Sequence, residues 1–177
     1  MQAFLLAAGL GTRLRPLTNS RPKALVEVNG RTLLEINLLK LVSAGARRVV
    51  VNVHHFSNQV IDFLRSRAWG TEVLVSDESG LLMDTGGGLK YAEPLFLPAE
   101  PILIHNVDIL SSIDLAYLAS EHSDSMSIAT LCVSNRETSR YLLFGQDGRL
   151  VGWCNRNTQE FKWSDSPTDE YIPLAFS

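Results

Sequence analysis

Short apolar runs alternate with segments of helical periodicity along most of this chain. The runs with strand character are AFLLA at 3–7, RRVVVNV at 47–53, TEVLV at 71–75 and PILI at 101–104. A short run that is apolar without alternation is typical of a strand buried on both faces, as in a parallel sheet. Parallel strands joined by helical segments form right-handed crossovers, which leave helices on both faces of the sheet.

The segments between these strands supply the helices. TLLEINLLKLVSAG (32–45) begins with a capping box at Thr32 and reaches Gly45 at its C-terminal end. Ser57 is predicted to cap a helix that ends near Gly70. Further along, a glycine-rich turn at 84–88 leads into a helix over 89–97, a helix covers 114–122 behind Asp114, and MSIATLCV at 126–133 alternates like a strand. The sequence therefore predicts an α/β protein with a Rossmann-like, three-layer α/β/α arrangement and a mostly parallel sheet.

The character of the sequence changes after residue 140. Asp147-Gly148 lies between YLLF and RLVGW, and NRNTQ (155–159) follows as a second turn segment. Both are typical of hairpin turns, so we expect an antiparallel hairpin flap near the C-terminus. The apolar run YIPLAFS is expected to form a strand or a buried element that continues past the last residue. We therefore expect a single domain over 1–177 that is truncated at its C-terminal end.

Composition limits the partners of such a protein. The 177 residues carry a formal net charge of −3, which provides no bulk attraction to nucleic acid or to an anionic membrane. The two cysteines, Cys132 and Cys154, have neither CxxC spacing nor histidines at zinc-site spacing. No basic segment precedes the first apolar run, and no run approaches the roughly 18 apolar residues of a membrane span. We expect a cytoplasmic protein with no nucleic-acid or membrane partner, and the oligomeric state stays open.

The loop after the first strand concentrates positive charge. Gly9 and Gly11 allow backbone angles and close approaches that other residues do not, so successive N–H groups can surround an anion. Four basic side chains follow within the same stretch, namely Arg13, Arg15, Arg21 and Lys23. Ligands of parallel α/β sheets bind beyond the carboxyl ends of the strands. The segment NVD (106–108) also follows an apolar strand, so the loop and this segment are expected to face one crevice.

The residues alone leave more than one interpretation of this loop. A P-loop needs Gly-Lys-Ser/Thr after its second glycine, but Thr12 and Arg13 stand there. A dinucleotide fingerprint is only weakly matched, because Leu14 occupies the position of its third glycine, although Glu27 lies where an acidic ribose ligand is expected. A basic surface loop without a ligand is the remaining alternative.

A longer match singles out one family. LAAGLGTRLRPLTNSRPKALVEV resembles the signature L-x-A-G-x-G-T-R-L-x-P-L-T, followed by P-K-x-L, of the sugar-phosphate nucleotidyltransferases. DTGGGL resembles the E-T-G-G-G of the N-acetylmuramate-1-phosphate uridylyltransferase and mannose-1-phosphate guanylyltransferase branch, and HNVDIL stands where the family has its N-G-D metal site. The resemblance covers roughly residues 2 to 135.

The resemblance implies a reaction and a set of site residues. A sugar-1-phosphate would attack the α-phosphorus of a nucleoside triphosphate, releasing pyrophosphate and forming a nucleotide sugar. Arg13 and Lys23 match the catalytic basic residues, and Asp108 matches an aspartate that binds Mg²⁺. The implied nucleotide contacts are Ala7, Ala8, Gly9, Gly11, Thr12, Arg13, Lys23, Gly86, Gly87 and Asp108.

The sequence also departs from the family pattern. Val107 stands where the family usually has glycine, no E-K-P motif occurs in 149–167, and the second metal aspartate of the family would lie beyond residue 177. Two rival functions therefore stay open: a nucleotide-binding or regulatory module with weakened catalysis, and a nicotinamide-dependent oxidoreductase. The TGGG segment favours the muramate and mannose branches, with N-acetylmuramate-1-phosphate and UTP preferred.

Overall fold

The computed structural model describes residues 1–81, 83–166, 168 and 170–176. The chain divides into two units, Met1–Met126 and Ser127–Ser177. The expectation of a single domain over the whole chain stays a prediction. Among the described helices, none has the length and apolar character that crossing a membrane requires.

In chain order, the described strands of the first unit are β1 (Gln2–Leu6), β2 (Glu27–Val28), β3 (Arg31–Thr32), β4 (Arg48–Val53), β5 (Glu72–Asp77) and β6 (Ile102–Asn106). Its central sheet consists of four parallel strands in the order β5–β4–β1–β6. Strands β2 and β3 pair with each other as an antiparallel hairpin whose turn, Asn29-Gly30, has positive φ at both residues. This Asn-Gly signal for a hairpin is present in the sequence and was missed.

In the described part of the chain, three α-helices connect these strands and a fourth follows β6. They are α1 (Leu33–Ser43), α2 (Ser57–Arg65), α3 (Asp84–Ala92) and α4 (Leu115–Asp124). Thr32 caps α1 by accepting a hydrogen bond from the Glu35 N–H, and Asp114 caps α4 by accepting from two N–H groups, so both predicted caps are confirmed. Gly45, with a φ of 90°, follows the end of α1 as expected.

Two predicted helix boundaries are wrong at α2. Phe56, not Ser57, is the N-cap residue; it has a φ of 54°, and no side chain caps the helix. The tight turn after β4, in which the Ser57 N–H donates to the His54 carbonyl, puts Ser57 inside the first turn. The helix ends at Arg65, well before Gly70.

The glycine-rich segment is also different from its prediction. Residues 84–88 form the first turns of α3 rather than a separate turn, and the helix ends at Ala92, where a 3₁₀ turn containing Pro94 follows. Glycine has low helix propensity, but packing overrides it here: a Cβ on Gly88 would lie 2.6 Å from Oε1 of Glu78. The close approach of α3 to β5 therefore requires a glycine.

The side chains of the central sheet divide between two cores. Leu5, Val49 and Val51 face the side on which α1, α2 and α4 pack, with Leu38 and Leu115 among the buried contributors from the helices. Phe4 and Val50 face the opposite side, where Ala92 of α3 covers them. Helices thus lie on both faces of a parallel sheet, and the predicted three-layer α/β/α arrangement is confirmed.

The second unit is an antiparallel sheet in the order β10–β9–β8–β11–β7. Its strands are β7 (Val133–Ser134), β8 (Arg140–Phe144), β9 (Leu150–Asn155), β10 (Glu160–Trp163) and β11 (Ile172–Phe176). Both predicted hairpins are confirmed, with positive φ at Gly148 in the first turn and at Gln159 in the second. The run YIPLAFS supplies β11, and its last residue, Ser177, lies outside the described residues.

The strand predicted over 126–133 is wrong for most of its length. Strand β7 begins only at Val133, and its partners are Ala175 and Phe176. An alternating pattern forms a strand only where a neighbouring strand pairs with it, and here the pairing covers two residues. The side chains of Met126 and Ile128 are fully exposed.

We expect Thr32→Ala to lower the free energy of unfolding by about 1 kcal/mol, because the N–H of Glu35 loses its acceptor at the start of α1. Urea unfolding monitored by circular dichroism measures the change. Thr32→Ser keeps the acceptor and is the matched control. Equal stability of Thr32→Ala and the wild type would contradict the assignment of this cap.

Candidate functional site

A crevice opens at the carboxyl ends of the parallel strands in the first unit. It encloses a cavity of about 400 Å³. Its lining residues come from the ends of β1, β4, β5 and β6 and the residues just after them, from the start of α3, and from one lysine of the loop after β1: Leu6, Ala7, Ala8, Gly9, Lys23, Asn52, Glu78, Asp84, Thr85, Asn106, Val107 and Asp108. This is the location at which ligands bind in parallel α/β sheets, as the sequence predicted.

The loop after β1 folds around a glycine with a left-handed backbone. Gly11 has a φ of 66° and precedes a 3₁₀ turn over Thr12–Leu14. Its carbonyl accepts a hydrogen bond of 2.8 Å from Oγ1 of Thr18. A Cβ at this position would lie 3.0 Å from both the Lys23 Cβ and a Thr18 methyl group. Both the backbone angle and the close packing therefore require glycine, and they hold the loop against Lys23.

Lys23 and Asp108 form an ion pair at the crevice. The lysine side chain is 16% exposed and the aspartate side chain 36%. Lys23 belongs to a 3₁₀ turn over Lys23–Leu25, and Asp108 is the second residue after the end of β6. The structure thus brings together two predicted site residues that are far apart in sequence.

The donor set at Asp108 is small. In the described part of the chain, no group of three or more histidine, cysteine, aspartate or glutamate residues is arranged to hold a metal ion. Mg²⁺ commonly takes one or two carboxylates together with substrate phosphates and waters, so a single aspartate fits this ion when a phosphate ligand supplies further oxygens.

Val107 is a core residue that also lines the crevice. It is 2% exposed and packs in the core with α1 and α4. Its N–H donates to the Leu6 carbonyl at 3.1 Å, and its carbonyl accepts from Nδ2 of Asn37 at 2.8 Å. The exchange of the family's glycine for valine therefore adds a side chain to the core next to the cavity.

The remaining predicted residues do not all meet at the cavity. Ala7, Ala8 and Gly9 line it together with Lys23 and Asp108. Gly11, Thr12 and Arg13 belong to the loop beside it but are not lining residues, and the Arg13 side chain is exposed. Gly86 and Gly87 lie in the first turn of α3, whose lining residues are instead Asp84 and Thr85.

Two lining residues were missed by sequence reasoning. Asn52 at the end of β4 and Glu78 directly after β5 are each 2% exposed and are joined by a hydrogen bond of 2.9 Å. Oδ1 of Asn52 accepts hydrogen bonds from the N–H groups of Ala7 and Ala8, at 2.7 and 3.3 Å. A polar residue inside the apolar strand RVVVNV was the available signal, because buried polar side chains are kept where they have partners.

His105 is a titratable residue of β6 close to the site. Burial is the largest effect on its pKa and holds it below the usual value. The hydrogen bond to the Asn106 carbonyl and the nearby Asp108 carboxylate each raise the pKa, and the Lys40 ammonium lowers it, but these effects do not outweigh burial. The unfolded chain therefore binds a proton at a higher pH than the folded chain does. Between the lowered pKa and the ordinary value of 6.5, stability rises with pH and is lost on acidification.

We expect His105→Gln to remove part of this pH dependence. Urea unfolding of the wild type and the variant at pH values from about 7.5 down to about 5 measures it through the slope of unfolding free energy against pH. The wild type should lose more stability on acidification than the variant. Parallel curves for the two proteins would contradict the assignment to His105.

Similarity to known proteins covers the first unit, including the loop after β1. The model of the nucleotidyl transferase family matches residues 2–148. The chain belongs to this family, and the resemblance to sugar-phosphate nucleotidyltransferases is confirmed.

Two relatives represent the branches that the sequence predicted. N-acetylmuramate alpha-1-phosphate uridylyltransferase of Caulobacter vibrioides is 40% identical over 145 residues, which are 77% of this chain and 59% of that protein. Mannose-1-phosphate guanylyltransferase catalytic subunit beta of Drosophila melanogaster is 32% identical over 166 residues, 90% of this chain and 44% of that protein. The chain thus spans about half the length of these curated relatives.

Solved structures support the fold alone. HddC from Yersinia pseudotuberculosis superposes with a TM-score of 0.69 at 20% identity, covering 99% of this chain and 88% of that one. The same values hold for HddC complexed with GMP-PN.

Proposed function

We propose that this chain carries the site for transfer of a nucleoside monophosphate from a nucleoside triphosphate to a sugar-1-phosphate. The observation that carries the proposal is the ion pair of Lys23 and Asp108 at a crevice that the first residues of the glycine loop, Ala7 to Gly9, also line. This arrangement combines a cation, a carboxylate and a close backbone approach at one place, as a polyphosphate ligand requires.

The chemistry needs little from the protein beyond position and charge. An oxygen of the sugar-1-phosphate forms a bond to the α-phosphorus, and the bond from that phosphorus to the bridging oxygen breaks, so pyrophosphate leaves with the electron pair. The attacking phosphate is already ionised at neutral pH, so no general base is required. Rate enhancement then comes from orienting the two substrates and neutralising their phosphates.

Each charged residue has a distinct role in this proposal. Lys23 is a compact point charge that bridges the phosphates of both substrates. Arg13, on the exposed loop, neutralises the α-phosphate and the departing pyrophosphate. Asp108 holds Mg²⁺, which supplies further neutralisation of phosphate charge when it is bound. Lys23 must release Asp108 from the present ion pair to serve the substrates.

The names of two relatives support a choice of base and sugar. We propose UTP and N-acetylmuramate-1-phosphate, because the Caulobacter vibrioides relative is 40% identical and bears that name. GTP and mannose-1-phosphate are the second pair, supported by a guanylyltransferase relative that covers 90% of this chain.

A panel of sugar-1-phosphates crossed with the four nucleoside triphosphates tests the function, with Mg²⁺-dependent pyrophosphate release as the readout. Release with UTP and N-acetylmuramate-1-phosphate is the expected result. Binding of UTP or GTP without release from any pair would favour a binding module. Thermal stabilisation by NAD(H) alone would favour an oxidoreductase instead.

We expect Arg13→Ala to slow transfer on the order of 10³-fold and Asp108→Ala to abolish it, because each removes charge that the transition state requires. Both side chains lie at the surface or the crevice, so we expect unfolding free energies within about 1 kcal/mol of the wild type. Pyrophosphate release and urea unfolding measure the two effects.

Matched controls for these variants lie on α2. Arg65→Ala and Asp62→Ala remove the same charges from exposed positions away from the crevice, and both should retain the wild-type rate. Retained transfer in Asp108→Ala, or global unfolding of either site variant, would mean that the residue has another role.

A further inference from the structure

Asn52 is a buried side chain at the crevice that no step of the proposed reaction uses. It is 2% exposed and lies opposite Leu6 in the pairing of β4 with β1. Its Oδ1 accepts from the N–H of Ala7 at 2.7 Å and from the N–H of Ala8 at 3.3 Å. Both N–H groups therefore already donate a hydrogen bond within the protein. The backbone N–H groups that can donate to a phosphate are those further along the loop, from Gly9 onward.

Glu78 determines which way the Asn52 amide points. Oε1 of this buried carboxylate accepts from Nδ2 of Asn52 at 2.9 Å, and Oε2 accepts from the Met83 N–H at 3.5 Å. An ionised carboxylate only accepts hydrogen bonds, so it holds the NH₂ end of the amide. The carbonyl end of Asn52 is thereby directed to the loop after β1.

Gly88 makes room for this pair of side chains. A Cβ at this position would lie 2.6 Å from Oε1 of Glu78 and 3.2 Å from Nδ2 of Asn52. Glu78 is itself buried, with 2% of its surface exposed. The last glycine of DTGGG thus serves the buried hydrogen bond, whereas a Cβ on Gly86 would meet nothing within 4 Å.

We propose that Asn52, oriented by Glu78, is a positioning residue for the triphosphate: it fixes the point at which the chain leaves β1 and so pre-organises the phosphate-binding loop from Gly9 to Arg13. The inference rests on the proposed function. Pre-organisation raises affinity because the loop loses less conformational freedom when the ligand binds.

A polarity swap tests the proposal. Asn52→Asp keeps an acceptor for Ala7 and Ala8 but replaces the NH₂ donor with a second carboxylate oxygen, which repels the carboxylate of Glu78. Adding Glu78→Gln restores a hydrogen bond between the two positions. In this bond the new amide at position 78 is the donor and the new carboxylate at position 52 is the acceptor. The double variant should therefore recover what the single Asn52→Asp variant loses.

Calorimetric titration with UTP, GTP and inorganic tripolyphosphate, each with Mg²⁺, measures affinity at a temperature where urea unfolding shows every variant to be folded. We expect Asn52→Asp to weaken binding about tenfold or more and the double variant to return to within about threefold of the wild type. Gly88→Ala, which displaces Glu78 without a charge change, should weaken binding likewise. Asn58→Asp, the same change on the exposed side of α2, should have no effect.

The outcomes separate this inference from the proposed function. A wild-type protein that binds none of the three probes overturns both. Wild-type binding together with unchanged affinity in folded Asn52→Asp and Gly88→Ala overturns the inference alone, because the pair is then merely structural. Weakened binding that the double variant does not recover overturns the role of Glu78. If Asn52→Asp fails to fold, the affinity of Gly88→Ala decides: weakened binding supports the inference, and unchanged binding overturns it.

Discussion

Parallel pairing of β1 between β4 and β6 is the constraint on which the crevice depends. Phe4 lies opposite Val50 on one side and Ile104 on the other, and all three strands run in the same direction. The loops that follow them therefore leave the sheet at one edge. This is why Lys23 and Asp108 form an ion pair despite their separation in sequence.

Buried amides hold the backbone on both sides of that edge. Asn52 accepts from the N–H groups that follow β1, and Asn37 donates to the Val107 carbonyl that follows β6 as well as to the Leu33 carbonyl. A buried polar group costs free energy unless it is hydrogen-bonded, so each of these amides stabilises the fold only in its present orientation. Among the described residues, Oδ1 of Asn37 has no hydrogen-bond partner. Both amide side chains lie among the mainly apolar residues of their elements, and both hold backbone at the crevice.

Local pattern was sufficient for most elements because each pattern depends on residues close together in the chain. The apolar run at 3–7 is buried on both faces, and Ala3, Phe4 and Leu5 have no exposed surface. Thr32 and Asp114 cap their helices through N–H groups two or three residues away. The Asp147-Gly148 hairpin likewise needs only its flanking strands.

The sequence by itself determined the order of the four parallel strands and of the helices after them, the caps at Thr32 and Asp114, the two C-terminal hairpins and the glycine-rich basic loop. Only the tertiary structure decided that Gly88 lies within a helix against Glu78, that strand pairing near residue 133 covers two residues, and that Asn52 reaches the loop after β1. Each of these depends on groups that are distant in sequence and meet through packing. Helix propensity and the alternation of apolar and polar residues describe neighbours along the chain, so they carry no information about contacts between distant residues.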